Sequence, residues 1–225
     1  MSVPSVLVLF LLALPLAAEE VHGRVELLAK GGKAPAKGSD VRQTVVYFEP
    51  ASPPARRPPE TPFQMVTRQK EIVPRVLAIP RGSRVRFPND DPILHNVFSV
   101  SAGNAFDLGL YKNGPGKEKT FTTPGVVRVY CNVHPSMVAS ILVLDTPYFI
   151  APSADGVFVL SGLPKGPGKL TVWSEQADPW TVTLDVPAGP APITARIEVT
   201  RPQVPPHLDK DGKSYFTTGR DGYRH

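Results

Sequence analysis

Apolar and polar residues alternate in segment after segment of this chain, and that period of two constrains its fold more than any other feature. In VRVYC, Val127, Val129 and Cys131 fall on one face while Arg128 and Tyr130 take the other. Trp180, Val182, Leu184 and Val186 alternate with Thr181, Thr183 and Asp185, and Ile193, Ala195, Ile197 and Val199 with Thr194, Arg196 and Glu198. Successive side chains of a strand point to opposite faces, so each run specifies a half-buried strand. Proline, at 27 of 225 residues, acts in the same direction, because it removes a backbone donor and fixes φ. The predicted class is all-β, with Gly and Pro clusters punctuating the strands of one sandwich or two.

The opening MSVPSVLVLFLLALPLAAEE carries an uncharged apolar run from Val6 to Leu16, then Ala17 and Ala18, then Glu19 and Glu20. That pattern is expected for a secretory signal peptide over residues 1–18, and the run is too short to span a bilayer. A periplasmic or otherwise exported protein with no membrane span in its mature form is the expectation. Export makes the cysteine count informative, because thiols in oxidising compartments usually pair as disulfides and this chain has one. Cys131 is therefore expected to be buried and inert or held by a ligand.

The formal net charge is +5, but its basic residues are scattered and lack interleaved aromatics. Nucleic-acid binding is poorly supported. A mild positive field suits an acidic protein partner instead.

Composition divides the chain. The stretch EPASPPARRPPETP, from Glu49 to Pro62, reads as a proline-rich linker or long loop. Residues 63–145 hold the Cys/His set, residues 147–200 form a second strand series after residues 19–50, and residues 201–225 read as a flexible tail, disordered or draped on the surface. There is no convincing internal repeat.

In YCNVHPSM, Cys131 ends a predicted strand, and His134 and Met137 follow in a tight loop before the next strand. A loop this short aims a thiolate, an imidazole and a thioether at one point, and those donors suit copper, Cu(I) included. A fourth ligand is expected from a distant loop. The candidate is His95 in FPNDDPILHNVFS, on another strand-to-strand connection. Taken singly, Cys131 and Met137 read as core residues and His95 as a satisfied loop histidine. Their combination changes that reading.

The order His95, Cys131, His134, Met137, with HNV in the first segment and PGVVRVYCNVHPSM in the second, resembles the cupredoxin, or blue copper, family. The C-x2-H-x2-M spacing is similar to its plastocyanin and amicyanin branch, and HNVFS, FDLG and CNVHPSM are similar to plastocyanin-like proteins of the methylamine-utilisation type. The resemblance covers about Phe63 to Asp145. It implies a Greek-key β-sandwich with one type 1 copper, whose strong ligands would be His95, Cys131 and His134 and whose weak axial ligand would be Met137. It also implies that Asn96 ties the ligand loops together and that Phe121 and Tyr130 pack beneath them. Single-electron transfer between transient redox protein partners is the function it implies. Ile93, Leu94, Val133 and Pro135 are expected to form a small apolar docking patch around His134.

His22, His207 and His225 are expected to be solvated, so the further histidine sets of a multicopper oxidase or copper nitrite reductase are missing. A binuclear purple-copper site would need a second cysteine. The chain carries no G-x-S-x-G, H-E-x-x-H, phosphate-loop or dinucleotide signature and is not expected to be an enzyme. Asp90 and Asp91, before Pro92, read as turn chemistry.

In the flanks, V-x-G-x-V at Val21 to Val25 and D-G-x-F-x-L-x-G-L-P from Asp155 to Pro164 resemble the two ends of a carboxypeptidase-regulatory-like, transthyretin-type sandwich. That resemblance implies a copper module inserted within a second β-sandwich. An extended cupredoxin with an added C-terminal sandwich is the alternative. Functionally, the alternatives to an electron carrier are a copper chaperone or store and a structural sandwich without metal.

Overall fold

A computed structural model describes residues 19–52 and 58–215. The expected signal peptide, residues 1–18, lies outside the described residues, as do the middle of the proline-rich stretch and the last ten residues. No described helix is long and apolar enough to cross a membrane. The protein is all-β, and the helical element among the described residues is one 3-10 turn, Val41–Gln43.

Two strands come first, β1 (Glu19–Leu28) and β2 (Thr44–Pro50). A central series follows: β3 (Phe63–Gln64), β4 (Val66–Arg68), β5 (Glu71–Val73), β6 (Val76–Pro80), β7 (Arg84–Asn89), β8 (Val97–Ser99), β9 (Phe106–Asp107), β10 (Gly114–Thr120), β11 (Gly125–Cys131) and β12 (Val138–Leu144). The last series is β13 (Phe149–Ile150), β14 (Val157–Leu163), β15 (Gly166–Ser174), β16 (Trp180–Val186) and β17 (Ile193–Glu198).

The central strands make two sheets, β10-β7-β4-β5 with β3 added beside β7, and β6-β12-β11-β8-β9. Their inward residues, Met65, Ile79, Phe87, Phe121, Val127, Val129, Cys131 and Ile141 among them, pack into one core. Each large apolar side chain so buried contributes about 1.5–3 kcal/mol relative to exposure. Cys131 and Met137 are part of this core, at the end where β11 turns into β12.

The outer strands form a three-stranded sheet, β14-β1-β17, and a four-stranded sheet, β13-β2-β15-β16, around a separate core that includes Val21, Phe48, Phe158, Leu160, Leu170 and Ile197. Two motifs that are far apart in sequence turn out to be one contact. Gly23 of β1 lies opposite Phe158 of β14, and a Cβ at Gly23 would sit 2.5 Å from the Phe158 ring and 2.4 Å from the Ile193 carbonyl. Glycine is required there because the aromatic ring and a neighbouring backbone occupy the space a side chain would fill.

The two cores communicate through β12, all seven of whose residues are buried. Ala139, Ile141 and Val143 face the central core, while Leu142 and Leu144 pack with Val45 of β2 and Trp173 of β15. Between them, Glu175 accepts hydrogen bonds from Ser140 (2.9 Å), Arg75 (3.1 Å) and Arg128. A buried carboxylate needs such partners, since desolvation would otherwise penalise its charge.

Candidate metal centre

Cys131 is the last residue of β11, and its loop is closed by its own backbone. The Cys131 N–H donates to the Met137 carbonyl (3.1 Å) and the Met137 N–H to the His134 carbonyl (3.0 Å). His95 stands on the connection between β7 and β8, held by a two-way bridge to Tyr111 at 3.1 and 2.9 Å. The two loops are joined directly, because the Asn132 N–H donates to the Asn96 carbonyl at 2.9 Å. Asn96 makes that tie with its backbone. Its side chain donates instead to Asp107, at 2.5 Å.

These connections bring together His95, Cys131 and His134, whose candidate ligand atoms all lie within 4.8 Å of one another. The Cys131 Sγ is 3.6 Å from His95 Nδ1 and 3.9 Å from His134 Nδ1. An ion bound at roughly 2.3 Å to sulfur and 2.0–2.1 Å to nitrogen would space S and N about 3.8 Å apart in a trigonal plane. The two S···N edges therefore have the length that a first-row metal requires. His95 and Cys131 are fully buried and His134 is half-buried, so the group opens toward solvent on the His134 side. Met137 is 1% exposed, placed in the same core as Cys131.

The chemistry of each donor is set by its surroundings. Burial pushes the Cys131 thiol up, but the His95 ring and the backbone N–H groups of Asn96, Val133 and His134 outweigh it and lower its pKa, toward the thiolate that binds metals. Burial pulls the His95 imidazole down, and its bonds to Cys131 and Asp91 more than reverse this. Asp91 accepts from His95 Nε2 at 2.9 Å, and a carboxylate only accepts. A ring proton therefore sits on Nε2, which leaves Nδ1, the atom facing Cys131, as the nitrogen that can give up its proton and offer a lone pair to a metal.

Asp91 is the residue beside this cluster that sequence reasoning missed. It does lie in the turn, where it was read, but it is buried and wired to His95. It also accepts from Gln69 N–H (2.6 Å) and Lys70 N–H (2.9 Å), the central pair of the β4–β5 hairpin. Both have positive φ, 54° and 57°, the left-handed pair that a tight type I′ turn demands. The sequence signal was an acid four residues before the histidine, masked by the ordinary use of Asp-Pro in turns.

Phe121 packs in the central core, but its backbone bonds to Gly82 and Ser83 at the start of β7, the end remote from His95, so it does not lie beneath the loops. Tyr130 does not join it in that core. It lies on the opposite face of the sheet with Phe98 and Val138. Stacked on its ring, 4.2 Å away and 11° from parallel, is His207, which the sequence alone reads as solvated. Of the expected apolar patch, Ile93, Leu94 and Val133 are 37%, 51% and 45% exposed.

No protein-family profile matches the chain, and no curated protein matches it. Solved structures do. The chain is similar in structure to cupredoxins. A copper-containing nitrite reductase from Thermus scotoductus is 26% identical over 43% of this chain, with a TM-score of 0.37, and this chain spans 25% of that enzyme's length. A purple cupredoxin from Nitrosopumilus maritimus is 28% identical over 36% of this chain and 99% of its own, with a TM-score of 0.33. A reduced amicyanin variant is 19% identical over 45% of this chain and 99% of its own, with a TM-score of 0.36.

Proposed function

We propose that this protein is an exported type 1 copper protein that carries single electrons between redox partners. The observation that carries the reading is the triangle of one sulfur and two imidazole nitrogens, with both S···N edges of the length a first-row metal requires, built on two loops that are bonded to each other. Soft thiolate with imidazole selects copper over the harder cations. His95, Cys131 and His134 would hold it, with Met137 as the weak axial donor. Copper supplies the one-electron couple. The protein's residues do the rest: Asp91 fixes the tautomer of His95, three backbone N–H groups point at the Cys131 sulfur, and the core excludes water from it.

His134, half-buried, is the proposed point of electron entry and exit, with exposed Ile93, Leu94 and Val133 of the two loops as its proposed rim. A small apolar rim favours brief encounters over stable complexes. The chain is proposed to act without a substrate of its own. We also propose that the outer strands form one transthyretin-like sandwich interrupted by the copper module, a reading supported by the pairing of β1 with β14 and β17 around a core of their own. Export rests on residues 1–18.

The test is an absorption and EPR spectrum of the purified protein with one equivalent of Cu(II). An intense thiolate-to-copper charge-transfer band in the visible is expected. A colourless Cu(II) form, or loading by Cu(I) alone, would sink the carrier reading in favour of a chaperone or store.

A further inference from the structure

The segment 203–215, polar and rich in Pro and Gly, has no burial pattern, yet it makes a series of specific bonds around the proposed centre. It contributes no side chain to any of the four hydrophobic clusters. It starts where Arg75 donates to the Gln203 carbonyl, then lays His207 flat on Tyr130. Asp209 closes a small loop by accepting from the N–H groups of Asp211 (3.0 Å) and Lys213 (2.7 Å). That loop presents Lys210, whose N–H donates to the Asn132 side chain at 3.0 Å and whose ammonium reaches Asp107 at 2.7 Å. Tyr215 packs edge-on against His207 and donates its hydroxyl to the Cys131 carbonyl at 3.1 Å.

The strap thus touches three consecutive residues, Tyr130, Cys131 and Asn132. Through Asp107 it also reaches Asn96, which follows His95. Both segments that carry ligands are therefore gripped from outside by one piece of chain. Cys131 itself is pinned at both backbone groups, its N–H by Met137 and its carbonyl by Tyr215. Outer bonds of this kind hold ligands in place when the metal's preferred geometry changes, and their loss usually weakens metal binding by about 10–100-fold.

We propose that residues 203–215 are a strap that completes the copper centre, with Tyr215 and Lys210 as positioning residues for Cys131 and for the Asn96–Asn132 junction of the two ligand loops. This rests on the copper reading above. None of the strap's side chains belongs to the hydrophobic clusters, and its polar bonds converge on the two loops of the site. It also covers the Tyr130 face of the sheet, which leaves the His134 side for partners.

The test is the full-length Tyr215→Phe/Lys210→Met double variant beside the wild type, each loaded with one equivalent of copper. Two properties are read: the visible charge-transfer band, and the rate at which reduced copper passes to a Cu(I) chelator. The unfolding midpoint of the metal-free protein controls for stability. A shifted band and copper release faster by about tenfold or more, beyond the loss in metal-free midpoint that follows from freeing Asp107 of Lys210, are expected. A band and release rate equal to wild type would overturn the strap while leaving the copper reading intact. Faster release matched by an equally destabilised metal-free protein also overturns it. A wild type that shows no band and binds no copper removes the copper reading and the strap with it.

Discussion

Asp91→Asn tests whether the metal site is prepared by a proton placed on the correct nitrogen. The substitution keeps the shape of the side chain. Its remaining oxygen can keep the bond from Gln69 N–H, now 2.6 Å, but an amide NH2 replaces the oxygen that accepts from Lys70 N–H and His95 Nε2, both at 2.9 Å. A donor then faces two donors. The Lys70 N–H has no way to adapt, and a buried charge-assisted bond lost there costs about 2 kcal/mol of stability in the metal-free protein. His95 can adapt by moving its proton to Nδ1, so that Nε2 accepts from the new amide. That tautomer puts the proton on the atom facing Cys131. Copper binding must reverse the shift and leave the buried amide donor unsatisfied against Nε2–H, a loss of about 1–3 kcal/mol, which lowers affinity roughly 5- to 150-fold. Competitive copper titration and urea unfolding of the metal-free protein measure the two effects separately. Asp90→Asn is the control, because its neighbouring carboxylate binds Arg68 at the surface. Asp91→Asn protein that loses stability but binds copper as tightly as wild type would refute the tautomer reasoning.

Cys131→Ser should abolish the visible band, since a hydroxyl supplies no thiolate donor, and an absorption spectrum decides it. Met137→Gln should keep copper bound while shifting its potential, measured by voltammetry, and loss of the metal would show that Met137 is not a weak axial ligand. Asp107 is held at a pKa of about 2: burial raises it, and bonds from Lys210, Asn96 and the Gly109 N–H lower it more. A carboxylate with a depressed folded-state pKa stabilises above its ordinary value of 3.8 and loses that contribution as pH falls toward about 2. The difference in unfolding midpoint between metal-free wild type and Asp107→Asn should therefore be steady at neutral pH and close over that interval; a gap unchanged in acid contradicts it. Gly23→Ala should destabilise the protein by about 1–3 kcal/mol through overpacking against Phe158, read by urea unfolding, with Phe158→Leu partly restoring the loss.

The candidate metal loop was legible because its chemistry is local. Cys131, His134 and Met137 lie within seven residues, and a short loop leaves few ways to separate their side chains. The strands β16 and β17 were legible because each presents its more buried face to one core, which imposes alternation on the sequence, and β11 alternates as far as Tyr130, which is buried on its other face. Strand β12 shows no alternation, because its second face is covered by Val45 and Trp173 from the outer strands. That cover cannot be read from β12 itself.

What the sequence determined by itself was the all-β class, and it marked the candidate donors of the loop 131–137, both written in spacing and residue type over short windows. The tertiary structure decided which distant segments meet. It set His95 Nδ1 3.6 Å from the Cys131 sulfur, recruited Asp91 from a turn, and laid the C-terminal segment across Tyr130, Cys131 and Asn132. Such contacts span 36 to 84 residues or depend on the fold of a turn, and leave no periodic trace in the chain. Their partners are single polar groups, chosen by where the backbone has already brought them, and that placement exists only once both cores have formed.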